Sequence, residues 1–234
     1  TGEGHFVKAE ETTLRTTSHA TMSIATSDIT RNGHTDFFLS DMLGRGYEAR
    51  QSQRHSQMAM PHAVDASRER AQEMQNTLQR NRGDATFAET AAMAGVRASG
   101  WTWSSRFLDV NLDGYEDLIT TTGHAYDVQD SDAQMRLSRL ESKMESPKQK
   151  MRILFKYPKL NLPTMAFRNQ GDGTFEAMPD GWGLGATEDV GHGMATGDFD
   201  RDGDLDVVVN RFNESLGVYR NQATRSRVAL RLRG

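Results

Sequence analysis

A nine-residue acidic spacing occurs three times in this chain. Each copy places oxygen-bearing side chains at positions 1, 3 and 5, a glycine at position 6 and an aspartate at position 9. The copies are loop 1 (Asp28–Asp36), loop 2 (Asp109–Asp117) and loop 3 (Asp198–Asp206). Crowded oxygen ligands suit a hard cation, Ca²⁺ best of all, and the glycine permits the sharp turn that directs them inward. Three copies of one spacing indicate a fold built from repeated units.

The expected ligands are the side chains at positions 1, 3, 5 and 9 and the backbone carbonyl at position 7. Loop 1 offers Asp28, Thr30, Asn32, His34 and Asp36; loop 2 offers Asp109, Asn111, Asp113, Tyr115 and Asp117; loop 3 offers Asp198, Asp200, Asp202, Asp204 and Asp206. Side-chain carboxylates at positions 1, 3, 5 and 9 increase from loop 1 to loop 3. We therefore expect up to three calcium ions, bound most tightly in loop 3 and least tightly in loop 1, with dissociation constants on the order of 10⁻⁴ M or tighter.

An EF-hand is the obvious alternative for such loops. It requires flanking helices and a bidentate glutamate at loop position 12. Position 12 is Leu39, Thr120 and Val209 here, and the flanking runs are β-branched or aromatic. These residues favour strands on both sides of each loop.

Further short motifs recur around the loops. A Gly-x-x-x-Phe motif ends at Phe6, Phe87 and Phe175, which lie 22, 22 and 23 residues before the first aspartate of a loop. A third element follows each of the three loops and ends in an Arg-Asn pair, at Arg80-Asn81, Arg168-Asn169 and Arg220-Asn221. Strand-like pieces joined by glycine-rich turns in a repeat predict a β-propeller or a β-solenoid.

The repeated residues resemble the FG-GAP/VCBS repeat family, whose integrin α-subunit members form calcium-bearing β-propellers. The resemblance rests on Asn169–Phe175, Asp198–Asn210 and Phe107–Leu118. The chain resembles most strongly the bacterial secreted proteins related to cartilage acidic protein, which carry an ASPIC/UnbV module after the propeller. The tail Arg227–Gly234 resembles the opening strand of that module. The resemblance implies an all-β fold of about three propeller blades over residues 1–225, with the module starting within 226–234, in an extracytoplasmic bacterial protein.

Two insertions interrupt the repeats, at about 43–75 and 123–160. The first is expected to turn helical around Asp65–Gln75. In the second, Asp130 or Ser131 is expected to cap a helix that runs through Ser142 and is ended by Pro147. If each loop joins the first two strands of a four-stranded blade, both insertions join the second and third strands. Cation loops and insertions then lie at opposite ends of the sheets.

Composition excludes several functional classes. There are no cysteines, so neither a disulfide nor a thiolate site is possible, and the formal net charge of −4 does not suggest nucleic-acid binding. No apolar run reaches the length of about 20 residues that a membrane span needs. The chain starts within a repeat unit, which predicts a piece of a longer precursor. We find no nucleophile, metalloprotease or phosphate-loop motif, and we expect no enzymatic activity.

The expected function is that of a calcium-stabilised module which binds other protein chains through its insertions. The insertion side chains expected to be buried by a partner are Met58, Met60, Leu137, Leu140, Met144, Ile153, Phe155 and Tyr157. A lectin-like propeller with Trp101, Trp103 or Trp182 stacked on a sugar is an alternative, although tryptophans packed between blades are the simpler interpretation. An accessory domain of a secreted hydrolase or lyase is another. Arg82-Gly83-Asp84 spells an integrin-binding tripeptide, but the same register in the next repeat reads Gln170-Gly171-Asp172, which indicates a blade turn.

Overall fold

Antiparallel sheets form most of the computed structural model, which describes residues 4–53, 71–178 and 180–226. Sheet 1 contains, in hydrogen-bonded order, β2 (Ser23–Ser27), β3 (Asp36–Ser40), β5 (Thr77–Asn81) and β6 (Phe87–Glu89). Sheet 2 contains β7 (Thr102–Leu108), β8 (Asp117–Thr122), β10 (Met165–Asn169) and β11 (Phe175–Met178). Sheet 3 contains β13 (Gly191–Gly197), β14 (Asp206–Arg211) and β15 (Gly217–Tyr219). The expected all-β class is confirmed; no closed ring of sheets is seen among these described strands.

Each sheet is a simple up-and-down meander. Loops 1, 2 and 3 join the first strand of their sheets to the second, and strands rather than helices flank them. The long segments after β3 and after β8 join the second strands to the third. Because neighbouring strands run antiparallel, these segments lie at the end of the sheets opposite the loops, as expected from strand order.

Two small strand pairs lie outside the three sheets. β1 (Thr16–Ser18) pairs in parallel with β4 (Ala71–Glu73), and β9 (Leu162–Pro163) pairs with β12 (Glu188–Asp189) in the antiparallel sense. β4 falls within the segment for which a helix around Asp65–Gln75 was expected. That expectation is wrong for residues 71–73, because a distant partner strand outweighs the local helical preference. Residues 65–70 lie outside the described ranges, as does the tail Arg227–Gly234.

The α-helices of the described residues belong to the two connecting segments. α1 is Tyr47–Ser52, α2 is Ser131–Glu141 and α3 is Pro147–Met151. Asp130 caps α2 as expected, since its carboxylate accepts the Ala133 N–H at 2.8 Å. Pro147 does not end α2. It is the first residue of α3, a position where its missing N–H costs no helical hydrogen bond.

Apolar side chains fill the two seams between neighbouring sheets. Seam 1, between sheets 1 and 2, is centred on Ile29, Phe38, Leu118 and Phe167, all fully buried. Seam 2, between sheets 2 and 3, is lined by Leu108, Ile119, Ala166, Leu184, Met194, Val207 and Val209. Full burial of one such large side chain contributes about 1.5–3 kcal/mol, so the seams hold the sheets face to face.

Candidate cation-binding loops

All three loops share one hydrogen-bonded frame. The carboxylate at position 1 accepts the backbone N–H groups of positions 5 and 6. The donor–acceptor distances for those two positions are 2.9 and 2.7 Å at Asp28, 3.0 and 2.8 Å at Asp109, and 3.1 and 3.1 Å at Asp198. The side chain at position 5 accepts the N–H of position 7 in every loop. The spacing that suggested the site therefore folds into the same turn three times.

The backbone of this turn is left-handed at two positions. The glycines at position 6 have φ of 84°, 93° and 92° in loops 1, 2 and 3. Position 4 is also left-handed although it holds Arg31 (57°), Leu112 (55°) and Arg201 (64°). These two bends bring alternate side chains to the inner side of the turn, which is the arrangement that oxygen ligation requires.

The aspartates at position 9 are buried and hold the loops to the sheets. One oxygen of each accepts the N–H of position 2, at 3.3 Å for Asp36, 3.1 Å for Asp117 and 2.9 Å for Asp206. The other oxygen accepts a backbone N–H from an asparagine at or just after the end of the third strand of the same sheet. These donors are Asn81, Asn169 and Asn221, at 2.8, 2.9 and 2.9 Å. A carboxylate oxygen has two lone pairs, so a cation remains an additional partner rather than a replacement.

Loop 3 is the loop in which carboxylates converge most closely. Oxygens of Asp198, Asp200 and Asp206 all lie within 4.8 Å of one another, a spacing that suits a shared cation. The side-chain carboxylates of Asp202 and Asp204 are not part of this group; the atom expected to serve as a ligand at Asp204 is its backbone carbonyl. Within the described ranges, the acidic side chains of loops 1 and 2 do not form such a group of three. The donor set of loop 3 therefore fits Ca²⁺ best.

Charge crowding is also evident in loop 2. Burial above all, with a smaller effect from the nearby carboxylates of Asp113 and Asp109, raises the pKa of Asp117 to about 7 against the opposing effect of the Asn169 and Val110 N–H groups. Ionising all three carboxylates together is therefore unfavourable without a compensating positive charge. A bound cation would supply that charge.

The arginines of the recurring Arg-Asn pairs reach back to the loops. Arg80 Nε lies 3.6 Å from Asp36, Arg168 lies 3.6 Å from Asp113 and Arg220 lies 3.5 Å from Asp200. In loop 1, Arg80 also donates to Thr30 Oγ1 at 3.1 Å, so a guanidinium contacts two of the predicted ligands there. The recurrence of these arginines is visible in the sequence, but their contacts with the loops are not. Each arginine lies on or directly after the third strand, and the whole second strand separates it from its loop along the chain.

In loops 1 and 2, the side chain at position 7 lies against a neighbouring hairpin turn. A Cβ at Gly83 would lie 2.7 Å from the His34 ring, and one at Gly171 would lie 3.2 Å from the Tyr115 ring. These rings cover the turns Arg82-Gly83-Asp84 and Gln170-Gly171-Asp172, in which Thr86 and Thr174 donate to Asp84 and Asp172 in the same way. Their backbone carbonyls remain the ligand atoms that His34 and Tyr115 can offer. The shared geometry confirms that Arg82-Gly83-Asp84 forms a hairpin turn.

The tryptophans considered for sugar stacking are packed against other rings. Trp101 is buried and stacks on His124 at a centroid distance of 4.2 Å. Trp103 lies between His124 at 5.9 Å and His192 at 4.6 Å, and its Nε1–H donates to Gly123 O. Trp182 packs on the apolar cluster of seam 2. Aromatic packing therefore accounts for Trp101 and Trp103.

The connecting segments expose apolar and basic side chains at the opposite end of the molecule. Leu140 and Phe155 are exposed, as are Met135, Met151 and Leu154. The basic residues of the same segment, Lys148, Lys150, Arg152, Lys156 and Lys159, are exposed too. The expectation that a partner buries the insertion side chains is wrong for Leu137 and Ile153, which are already buried within the chain. Met58 and Met60 lie outside the described residues.

Among the helices described, none has the length and apolar character to cross a membrane.

Comparison with known proteins agrees with this geometry. Residues 163–209 match the family model of the FG-GAP-like repeat, a range that includes β10, β13, most of β14 and all of loop 3. Over 71 residues, the chain is 35% identical to human cartilage acidic protein 1 and 34% identical to the proteins of that name from Xenopus tropicalis and Mus musculus. Each match covers 30% of this chain and 11% of the relative, so the similarity spans about a tenth of those proteins. These relatives are animal proteins, and the bacterial source stays a prediction. The chain carries an FG-GAP-like repeat, and its expected resemblance to the FG-GAP repeat family and to cartilage acidic protein is confirmed.

Proposed function

We propose that this chain is a calcium-binding segment of a β-propeller that acts as a non-catalytic protein-interaction module outside the cytoplasm. The main support for this proposal is the hydrogen-bonded frame that the three loops share. In loop 3, carboxylate oxygens of Asp198, Asp200 and Asp206 also lie within 4.8 Å of one another. Calcium is the cation best matched to carboxylate and carbonyl oxygens on a flexible loop.

The loops are proposed to differ in affinity in the order 3, 2, 1. Loop 3 has the largest number of carboxylates, and its arginine contact is the most exposed of the three ion pairs. Loop 1 has only two carboxylates at the ligand positions, and the Arg80 guanidinium contacts both Thr30 and Asp36. A positive charge held against two ligands weakens the attraction for a second cation.

The interaction role rests on the opposite end of the molecule. Exposed Leu140 and Phe155 lie on a segment that also exposes five basic side chains. Apolar side chains surrounded by polar ones are typical of the surfaces that proteins use to bind each other. The basic side chains favour an acidic partner, because opposite charge accelerates association.

Thermal melting in calcium and in chelator tests the cation role. We expect calcium to raise the melting temperature, because a ligand that binds the folded state alone stabilises it. Asp200→Asn should remove most of that rise, since it takes one carboxylate from loop 3. Glu145→Gln is the control, because it removes the same charge from an exposed residue of the connecting segment. An equal melting temperature of the wild-type chain in calcium and in chelator would contradict the proposal.

A further inference from the structure

Two asparagines connect neighbouring loops across the seams. Asn169, on the third strand of sheet 2, donates from Nδ2 to Ile29 O in loop 1 at 2.9 Å and to Glu116 O in loop 2 at 3.1 Å. Asn221, two residues after the third strand of sheet 3, donates from Nδ2 to Val110 O in loop 2 at 2.9 Å. Each asparagine therefore binds a carbonyl of the preceding sheet's loop, at position 2, between ligand positions 1 and 3.

The backbone of the same asparagines binds the loop of their own sheet. Asn169 N donates to Asp117 Oδ1 and Asn221 N donates to Asp206 Oδ1, both at 2.9 Å. Asp117 in turn accepts the N–H of Val110, whose carbonyl accepts from Asn221. The hydrogen bonds thus run without a break from the backbone of loop 1 through loop 2 to the carboxylate of loop 3.

We propose that Asn169 and Asn221 are positioning residues that couple the three cation loops, so that calcium bound in one loop raises the affinity of its neighbour. This inference rests on the proposed calcium function. Asn169, Asp117 and Ile29 are all buried, where an unmade hydrogen bond costs more than at the surface. Ordering of one loop by a cation fixes the peptide at position 2, and this fixes the asparagine that holds position 9 of the next loop. The second cation then orders less of the chain, which is the origin of positive coupling.

Asn81 provides a matched control within the same chain. It occupies the equivalent position of sheet 1, and its backbone N–H donates to Asp36 as Asn169 N does to Asp117. Its side chain donates to Thr35 O at 3.1 Å, within its own sheet. Among the residues described, Asn81 makes no hydrogen bond to a loop of another sheet. Loss of the Asn81 side chain therefore removes a local contact without removing a seam contact.

Calcium titration of the chelator-treated full chain by calorimetry tests the coupling. We compare the wild type with Asn169→Ala, Asn221→Ala and Asn81→Ala. For Asn169→Ala and Asn221→Ala we expect loss of cooperativity and a fall of about fivefold in the affinity of the weaker sites, at the lower end of the range for coupled sites. Asn81→Ala should retain the wild-type titration curve.

The melting temperature in chelator is recorded in parallel, because a purely structural role lowers stability without changing the cation response. Lower melting temperatures in chelator with unchanged titration curves would overturn the coupling. Equal loss of cooperativity in Asn81→Ala and Asn169→Ala would also overturn it. If Asn169→Ala does not fold, Asn221→Ala decides, because Asn221 is more exposed than Asn169. A wild-type chain that binds no calcium would overturn the proposed function and the coupling together, whereas wild-type binding without a difference among the variants overturns the coupling alone.

Discussion

The residue at position 4 of each loop shows how the turn constrains single side chains. Leu112 is left-handed, with φ of 55°, and it is the one member of the set Arg31, Leu112 and Arg201 without a polar side chain. Left-handed backbone brings Cβ close to the following carbonyl, which costs a residue other than glycine about 1–2 kcal/mol. Asparagine tolerates this conformation better than leucine, because its short amide can bond to the local backbone.

We therefore expect Leu112→Asn to raise the free energy of unfolding by about 0.5–1 kcal/mol. Urea unfolding measures the change. Leu216→Asn is the control, because Leu216 is exposed and is not left-handed. If the two substitutions change stability equally, relief of the backbone at position 112 is not the cause.

A second residue couples stability to pH at the end of sheet 1 away from the loops. Asp41 is fully buried and accepts the N–H groups of Ala20 at 2.8 Å and Met42 at 2.7 Å. Burial raises the pKa of Asp41 above its ordinary value of 3.8, against the opposing effect of these N–H groups. The folded state therefore holds the proton more tightly than the unfolded state.

As pH rises above 3.8, the unfolded Asp41 ionises first, so this residue's contribution to the free energy of unfolding falls until the folded carboxyl has ionised too. Asp41→Asn removes this titration. We expect the stability of the variant to fall less steeply with pH than that of the wild type above pH 3.8, measured by urea unfolding in chelator. A steeper fall in the variant would show that the sign of the shift is wrong.

At the scale of the elements, the hairpin turns after Asn81 and Asn169 offer a direct comparison. The two turns have the same hydrogen bonds and the same left-handed glycine, Gly83 or Gly171. The second left-handed residue, two positions later, is Ala85 (66°) in the first turn and Gly173 (88°) in the second. A Cβ at Gly173 would also meet the Arg80 guanidinium and lie 3.5 Å from Thr30 in loop 1. Glycine at this position thus serves both the turn and the close approach of sheet 2 to loop 1.

We expect Ala85→Gly to be neutral or to stabilise the chain by up to about 1 kcal/mol, and Gly173→Ala to destabilise it by more than about 1 kcal/mol. The larger effect at Gly173 arises because Arg80 must move away from loop 1. Thermal unfolding of both variants, with and without calcium, measures this. If the two substitutions change the stability by equal and opposite amounts, backbone conformation alone determines the change, and the contact of residue 173 with loop 1 contributes nothing.

The elements also show what a single sequence can and cannot predict. The loops, the strands around them and the cap at Asp130 were predictable, because their spacing and turn residues are local signals. The parallel pairing of β1 with β4 was not, because those strands are short, polar and more than 50 residues apart. The asparagine contacts across the seams were not predictable either. The recurrence of Asn81, Asn169 and Asn221 was visible, but their partners are chosen by the packing of the sheets.

At the scale of the whole molecule, the second connecting segment is separate from the cation loops but not from the fold. Its two ends are held together by the hydrogen bond from Asp127 N to Pro158 O at 2.7 Å and by the bridge between His124 and Leu160. Between these ends, Leu137 and Ile153 are buried within the chain. The segment therefore contributes some stability, although no ligand position lies on it.

Replacement of residues 130–156 by a linker of about four residues should lower the melting temperature modestly, because buried Leu137 and Ile153 are lost. The rise in melting temperature on addition of calcium should persist, while capture of acidic partners from the source extract should be lost. Melting in calcium and in chelator, together with affinity capture, tests this. Complete unfolding of the variant would show that the segment is required by the sheets, and unchanged capture would exclude it as the contact surface.

The position of the long connecting segments at the end opposite the loops has an evolutionary consequence. Once the ends of a segment are fixed by a contact such as that between Asp127 and Pro158, each doubling of its length costs only about 0.6 kcal/mol. The loop end tolerates no such change, because nine residues there must keep one turn and one set of contacts to the next sheet. Descendants of this chain can therefore acquire new partners by rapid divergence at one end, while the other end remains nearly constant.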